Sequence, residues 1–330
     1  MTDVARLAGV SHQTVSRVLN NHPHVHPRTR LIVLAAVREL GYQPNTVARA
    51  LATGRTKTLG VITLAGTHYG PASILNAIEA AARKAGYVVS VASRRPEADE
   101  SVAEAVLRMH RQGVAGIIVI APHPVAGEPL GDLATVIPLV LIEGTPGGEL
   151  AVVSVDQAAG GRLATEHLLA LGHRTVWHIA GPASWTEAAA RTAGWRAALV
   201  YAGAAIPPLR RGDWSPAAGY AFGQEMAGRD EISAVFVAND QMALGLLRAL
   251  GERGRRVPEE VSVVGFDDIP EAGYFAPPLT TVRQPFDQVG RDSVGTLIAQ
   301  IESGTPQLDR ETIAPELVVR QSTAPPPTGP

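Results

Sequence analysis

Cysteine is absent from this chain of 330 residues, which excludes both a disulfide framework and a thiol nucleophile. No apolar run approaches the roughly 18 residues that a membrane span needs, and no signal peptide is expected ahead of Asp3. The expected compartment is the cytoplasm. Also missing are the GxGxxG, phosphate-loop, GxSxG and HExxH motifs that announce common enzyme chemistries. Adjacent Asp267 and Asp268 invite a metal reading, but neighbouring residues at an extended strand end point to opposite sides. Neither catalysis, nor a metal, nor a cofactor is therefore expected. His22, His24 and His26 alternate, yet no carboxylate or cysteine joins them, and a loop facing phosphates accounts for histidine equally well.

What is present is unevenly charged. The chain carries 29 Lys and Arg against 31 Asp and Glu, a net charge of −2. Residues 1–57 hold eight of those cations against Asp3 and Glu39, a net +6, while the remainder is −8. Basic residues are thus concentrated in a segment that is periodic and apolar on one face, which suits contact with nucleic-acid phosphates.

Within that segment, Asp3 to Ala8 puts Val4, Leu7 and Ala8 on one helical face, and Gly9 can take positive φ. Ser11 is a good N-cap for a second helix, on which Val15, Val18 and Leu19 face inward. Ser11, His12, Gln13, Thr14, Ser16, Arg17 and Asn20 are left at the helix start or on its outer face. A second helix whose first turn offers polar side chains to base edges is the helix-turn-helix arrangement for a major groove. Pro27 and Gly41 bracket a third helix over 28–40, with Ile32, Leu34, Ala35, Val37 and Leu40 available for a small core. His26 stands at its cap, where a weaker cap would cost about 1 kcal/mol.

From Thr58 the pattern changes to β-branched runs alternating with helices: LGVITLA, YVVSVAS, GIIVIAP, LVLIEG, then TVWHIAGP, AVFVAND and VSVVGFDD. This spacing predicts parallel sheets covered on both faces. Two sets of such units predict an α/β pair of doubly wound subdomains, with a ligand beyond the carboxyl ends of the strands. Asp267, Asn239, Arg191 and Trp214 fall at such ends. Carboxylate, amide and guanidinium groups can each engage neighbouring hydroxyls, and an indole face covers the apolar C–H face of a pyranose. Each also has a plainer role, as helix cap, core residue or surface ion pair.

The motifs resemble the LacI/GalR family, closest to its lactose branch. Its N-terminal pattern is matched by Asp3-Val4-Ala5, Ala8 to Ser11, Thr14 to Asn20, Thr29-Arg30, Leu40-Gly41-Tyr42, Pro44-Asn45, and Ala48 with Leu51. GDWS at Gly212 to Ser215, VANDQMALG at Val237 to Gly245, VSVVGFDD at Val261 to Asp268 and PPLTTVRQP at Pro277 to Pro285 carry the resemblance through nearly the whole chain.

The resemblance implies a helix-turn-helix domain over 1–44, a hinge over 45–57, and a periplasmic-binding-protein-like effector domain over 58–323. Its N-subdomain spans about 58–155 and 286–313, its C-subdomain about 156–285 and 314–323, and a disordered Pro-rich tail occupies 324–330. Thr29, Asn45, Ala48 and Leu51 join the DNA contacts, Leu51 as a wedge opening the central base step from the minor groove. Arg191, Asn239 and Asp267 fall on effector hydrogen-bonding positions, with Gln284 among the effector contacts and Trp214 and Phe286 as apolar walls. Glu143 stands where the lactose branch has an aspartate, which puts its reach to the same hydroxyl in question. Val155 replaces a phenylalanine and leaves more room. Asp156, Gly160-Gly161 and His167 match a family signature that reads as structural.

The function implied is a repressor that leaves a palindromic operator on binding a neutral pyranoside, a β-galactoside or related sugar. A purine effector and a sugar-transport protein are the alternatives, the second disfavoured by the helix-turn-helix. The final run RQSTAPPPTGP carries no leucine heptads, so a homodimer is expected.

Overall fold

The structure is a computed structural model that describes residues 1–19, 22–42, 56–64, 66, 68–94, 100–121, 123, 128–144 and 150–327. The chain divides into two compact units, Met1–Lys57 and Thr58–Pro330.

In the first unit α1 (Thr2–Ala8), α2 (His12–Leu19) and α3 (Pro27–Glu39) enclose a core of Val4, Ala8, Val15, Val18, Val33 and Ala36. Gly9 ends α1 in the left-handed region, at φ 62°, and its N–H returns to the carbonyls of Ala5 and Arg6. The Ser11 hydroxyl accepts from the Thr14 N–H at 3.1 Å, the expected cap. His26 also caps: its Nδ1 accepts from the Arg28 N–H at 3.3 Å.

The expected core of α3 is corrected. Ile32, Leu34 and Leu40 are 44%, 39% and 45% exposed, Ala35 is exposed as well, and only Val37 is partly covered. Leu7 of α1 is also outside. Residues 31–37 are apolar almost all round the helix, so periodicity carries no phase there. The phase is set by packing against α1 and α2, whose small Val and Ala side chains admit only one narrow stripe of α3.

The second unit contains two six-stranded sheets. Its elements in chain order are β1 (Thr58–Leu64), α4 (Tyr69–Lys84), β2 (Val88–Arg94), α5 (Val102–Arg111), β3 (Gly116–Ile120), α6 (Leu130–Ala134), β4 (Leu139–Ile142) and β5 (Ala151–Val155). They continue with α7 (Gln157–Ala170), β6 (Trp177–Ala180), α8 (Thr186–Tyr201), β7 (Arg210–Arg211), α9 (Pro216–Met226), β8 (Ala234–Val237), α10 (Asp240–Glu252) and β9 (Ser262–Asp267). After a 3-10 turn come β10 (Thr280–Arg283), α11 (Phe286–Ser303), β11 (Arg310–Ile313) and β12 (Glu316–Val318).

The first sheet runs β11-β5-β4-β3-β1-β2 and is wholly parallel; the second runs β12-β10-β9-β8-β6-β7 with only β12 antiparallel. The central strands β3, β4, β8 and β9 are buried along their whole length, as parallel strands covered on both faces must be. The chain changes sheets between β5 and α7, between β10 and α11, and between β11 and β12. Consequently α11 packs on α4 and on the first sheet through Val289, Val294 and Leu297.

The start of the tail also differs from expectation. The Ala324 carbonyl accepts from the Ser262 hydroxyl at 2.9 Å and sits 3.0 Å from His173 Nε2, while the Ala324 N–H donates to Ser262. Backbone groups that find buried partners order a chain despite a proline-rich composition. No helix among the described residues is long and apolar enough to cross a membrane.

Candidate functional site

In the first unit the outer surface of α2 presents His12, Gln13 and Arg17 as exposed side chains, with Ser11 exposed and Thr14 and Ser16 half-buried. Ser11 and Thr14 are also engaged with each other, hydroxyl to hydroxyl at 2.9 Å, so part of their hydrogen-bonding capacity belongs to the cap. Thr29 lies half-buried in the first turn of α3. The Arg30 guanidinium donates to the His22 carbonyl at 2.8 Å and ties the α2–α3 connection down. Asn20, Asn45, Ala48 and Leu51 lie outside the described residues.

The second unit holds a partly open cavity of about 250 Å³, at the small end of the scale for small-ligand pockets. Its walls come from segments that follow the carboxyl ends of strands in both sheets, where doubly wound folds place ligands. Glu143 follows β4, Gln157 opens α7 after β5, Arg191 is on α8, Trp214 follows β7, Asn239 caps α10 and Asp267 ends β9. Phe286 and Tyr69, the first residues of α11 and α4, meet edge to face at 5.9 Å.

Backbone conformation marks the same place. Among the described residues the non-glycine positions with positive φ are Glu143 (59°), Trp214 (72°), Asp267 (103°) and Asp268 (53°). The first three line the cavity. Such conformations cost about 1–3 kcal/mol each and persist where the surroundings over-determine them, commonly at ligand sites.

A hydrogen-bonded ring ties the two sheets together beneath the cavity. Arg191 Nε donates to Gln157 Oε1 at 2.9 Å, and Gln157 Nε2 donates to Gln284 Oε1 at 2.8 Å. Gln284 Nε2 donates to Asp267 Oδ1 at 2.7 Å, and Arg191 Nη1 closes the ring 3.6 Å from the same oxygen. Gln157 Nε2 also lies 3.1 Å from Glu143 Oε1, which accepts from the Val155 N–H at 2.9 Å. The Arg191 guanidinium stands 3.8 Å over the Phe266 ring, a cation–π contact that fixes its plane.

Burial dominates the electrostatics. It pushes Asp267 up to about 6, against the downward pull of Arg191 and the Gln284 amide. Burial likewise raises Glu143, and raises Glu187 well above the ordinary carboxylate range, with neighbouring Glu143 adding to the latter.

Seven of the eight expected effector residues, Glu143, Arg191, Trp214, Asn239, Asp267, Gln284 and Phe286, line the one cavity. Val155 does not. Its side chain is 4% exposed in the core of the first sheet, because residues alternate across a strand; its contribution is the N–H that holds Glu143. Asn239 is also partly committed: its Oδ1 caps α10 by accepting from the Met242 N–H, and its amide donates to the Trp214 carbonyl at 3.1 Å and to Gln241. Asp156 caps α7 through the Ala159 N–H, and His167 sits 3.0 Å from the Thr323 hydroxyl, both structural roles.

Sequence reasoning missed Gln157, Trp185, His68 and Glu187. Glu187 stands one helical turn before Arg191 on α8, a spacing that puts both on one face and was legible. Trp185 packs edge-on to Trp214 at 5.4 Å and to His68 at 4.9 Å, contacts that only the tertiary fold creates.

Residues 1–45 match the model of the lacI family of bacterial regulatory proteins, and residues 165–323 match a periplasmic binding protein-like domain. The chain is 37% identical to the lactose operon repressor of Escherichia coli K12, over 99% of this chain and 91% of that protein. It is 34% identical to the transcriptional repressor PurR of Haemophilus influenzae PittEE, over 97% of each. Among solved structures it is similar to the lac repressor dimer bound to operator and an anti-inducer, with a TM-score of 0.86 at 36% identity over 98% of both chains. It is also similar to a complex of the transcriptional regulator CelR with cellobiose, with a TM-score of 0.73 at 33% identity over 97% of this chain and 98% of that one.

Proposed function

The chain belongs to the lacI family of bacterial regulatory proteins, a DNA-binding transcriptional repressor and not an enzyme, and on that premise we propose that its effector is a sugar. The observation that carries this is the lining of the cavity. Trp214 and Phe286 offer apolar walls, while Asp267, Glu143 and Arg191 converge with hydrogen-bonding groups. A pyranose has one apolar C–H face and a rim of hydroxyl donors, which suits an indole face ringed by carboxyl acceptors. A purine is the rival effector, since relatives include PurR, but it brings few donors to satisfy several buried carboxyl groups.

In this reading the protein acts in the cytoplasm as a homodimer, with two α2 helices in successive major grooves of a palindromic operator. Gln13 and Arg17 read base edges; Ser11, His12, Thr14, Ser16, Asn20 and Thr29 complete the contact. Asn45, Ala48 and Leu51 bind across the minor groove, with Leu51 wedged into the central step. The ligand bridges both sheets, so its binding favours one arrangement of the two subdomains over another. Sugar and operator are then reciprocally coupled, and genes for sugar use, those of a β-galactoside or related saccharide, are released. Calorimetry with saccharide and purine panels tests the assignment: a saccharide that binds in the cleft supports it, and tight purine binding without saccharide binding overturns it.

A further inference from the structure

Glu187 is buried at 9% exposure in the wall of the cavity, and its Oε2 is sealed from solvent without a hydrogen-bond partner. It is one of three buried carboxyl groups there, with Glu143 and Asp267 at 7% exposure each, and Asp213 adds a fourth at the exposed edge. Among the described residues that line the cavity, Arg191 is the one Lys or Arg. That guanidinium is already engaged by Gln157, the Ala238 carbonyl and Asp267, and among the described residues no ion pair reaches Glu187. Trp214 Nε1 is likewise buried without a partner.

A wall built this way is short of positive charge: beyond the N–H of Glu187 itself at the start of α8, its Oε2 meets no donor among the described residues. Several ionised carboxylates held together away from water are costly unless something cationic joins them, and without it they retain protons. Neutral hydroxyls supply donors to such a wall but leave the charge uncompensated. A ligand ammonium compensates it, because it brings a positive charge and three N–H donors and forms charge-assisted hydrogen bonds with a carboxylate.

We propose that the effector is an amino sugar, whose ammonium group takes Glu187 as its counter-ion while its ring rests on the aromatic wall. This rests on the sugar reading above and specifies which sugars the cleft prefers. Glu187 is then the residue that separates amino sugars from their neutral parents.

The test is titration calorimetry of the full-length protein at neutral pH with galactosamine and glucosamine, each beside its parent hexose and its N-acetyl derivative. The expected result is that an amino sugar binds at least about ten-fold more tightly than its parent, the smaller end of what a charge-assisted hydrogen bond confers. The N-acetyl derivative, which keeps the nitrogen but not the charge, loses that advantage. Glu187→Gln, checked for an unchanged melting profile, brings amine and parent to within about two-fold of each other. Equal affinity of amine, N-acetyl and parent sugars in the unaltered protein overturns the proposal and leaves the sugar reading intact. Binding of purines with no binding of any sugar overturns both. An amine preference that persists in Glu187→Gln assigns the preference to another carboxyl and overturns the role of Glu187.

Discussion

The side-chain amides of Gln157 and Gln284 meet at 2.8 Å, each beside a point where the chain passes from one sheet to the other. Through them the Glu143 carboxyl of the first sheet is joined to Arg191 and Asp267 of the second. Any ligand that touches Asp267 or Arg191 therefore pulls on groups that span both crossovers. Gln157→Ala leaves Glu143, Arg191 and Gln284 each short of a buried partner, at about 1–3 kcal/mol per group. Denaturant unfolding of Gln157→Ala, Gln284→Ala and the double variant is expected to show a coupling above about 0.5 kcal/mol; strict additivity would mean the two amides act independently.

A Cβ on Gly181 would lie 2.2 Å from Trp214 Cη2. Gly181→Ala must therefore move the indole, or the strand end beneath it. The expected outcome is a loss of effector affinity of about ten-fold or more, near 1.4 kcal/mol, with operator affinity retained. Tryptophan fluorescence with ligand titration reads both the displacement and the affinity, and unchanged affinity would remove Trp214 from the ligand contact.

Asp267 is raised from the ordinary carboxylate value of 3.8 to about 6 by burial, so the folded protein holds this proton more tightly than the unfolded chain does. The stabilising contribution of the protonated group is complete below about pH 4 and is lost as pH rises through about 6. Asp267→Asn keeps the shape without the titration. Without ligand, the variant should gain on the parent protein by up to about 3 kcal/mol between pH 4 and 7. His178, pushed down to about 3 by burial, opposes this trend in both proteins and cancels in the difference. A stability difference that does not change with pH would place the titration elsewhere.

On α2, Arg17 is exposed and faces away from the Val15–Val18 core. An arginine fork matches the acceptors of guanine, so Arg17→Ala should lose about 1–3 kcal/mol of discrimination while non-specific binding survives. Binding measured on operator and on scrambled DNA decides it; equal loss on both would make Arg17 a phosphate contact.

The order of strands and helices in the second unit was legible because parallel strands leave continuous β-branched runs, and Ser11 and Gly9 announced their turn by chemistry alone. The third helix was not legible in phase, since Leu31 to Val37 is apolar on nearly every side and only its two partners select Val33 and Ala36. In the cleft, residues at strand ends were visible as a set, but which polar atoms remain available was not. Asn239 spends its Oδ1 on a helix cap and its Nδ2 on Trp214 and Gln241, and Val155 turns inward because of the strand register. Gln157 and Trp185 act through neighbours that lie far away in sequence, a relation no local pattern carries.

The most direct test joins the two units in one measurement: fluorescence anisotropy of a labelled palindromic operator bound by the full-length protein, titrated with neutral and amino saccharides and with purines. The account predicts that a saccharide releases the operator from the parent protein. It also predicts that Asp267→Asn, with its charge-assisted acceptor removed, needs about ten-fold or more additional sugar for the same release. Release or tightening by a purine, with every saccharide without effect, would contradict it.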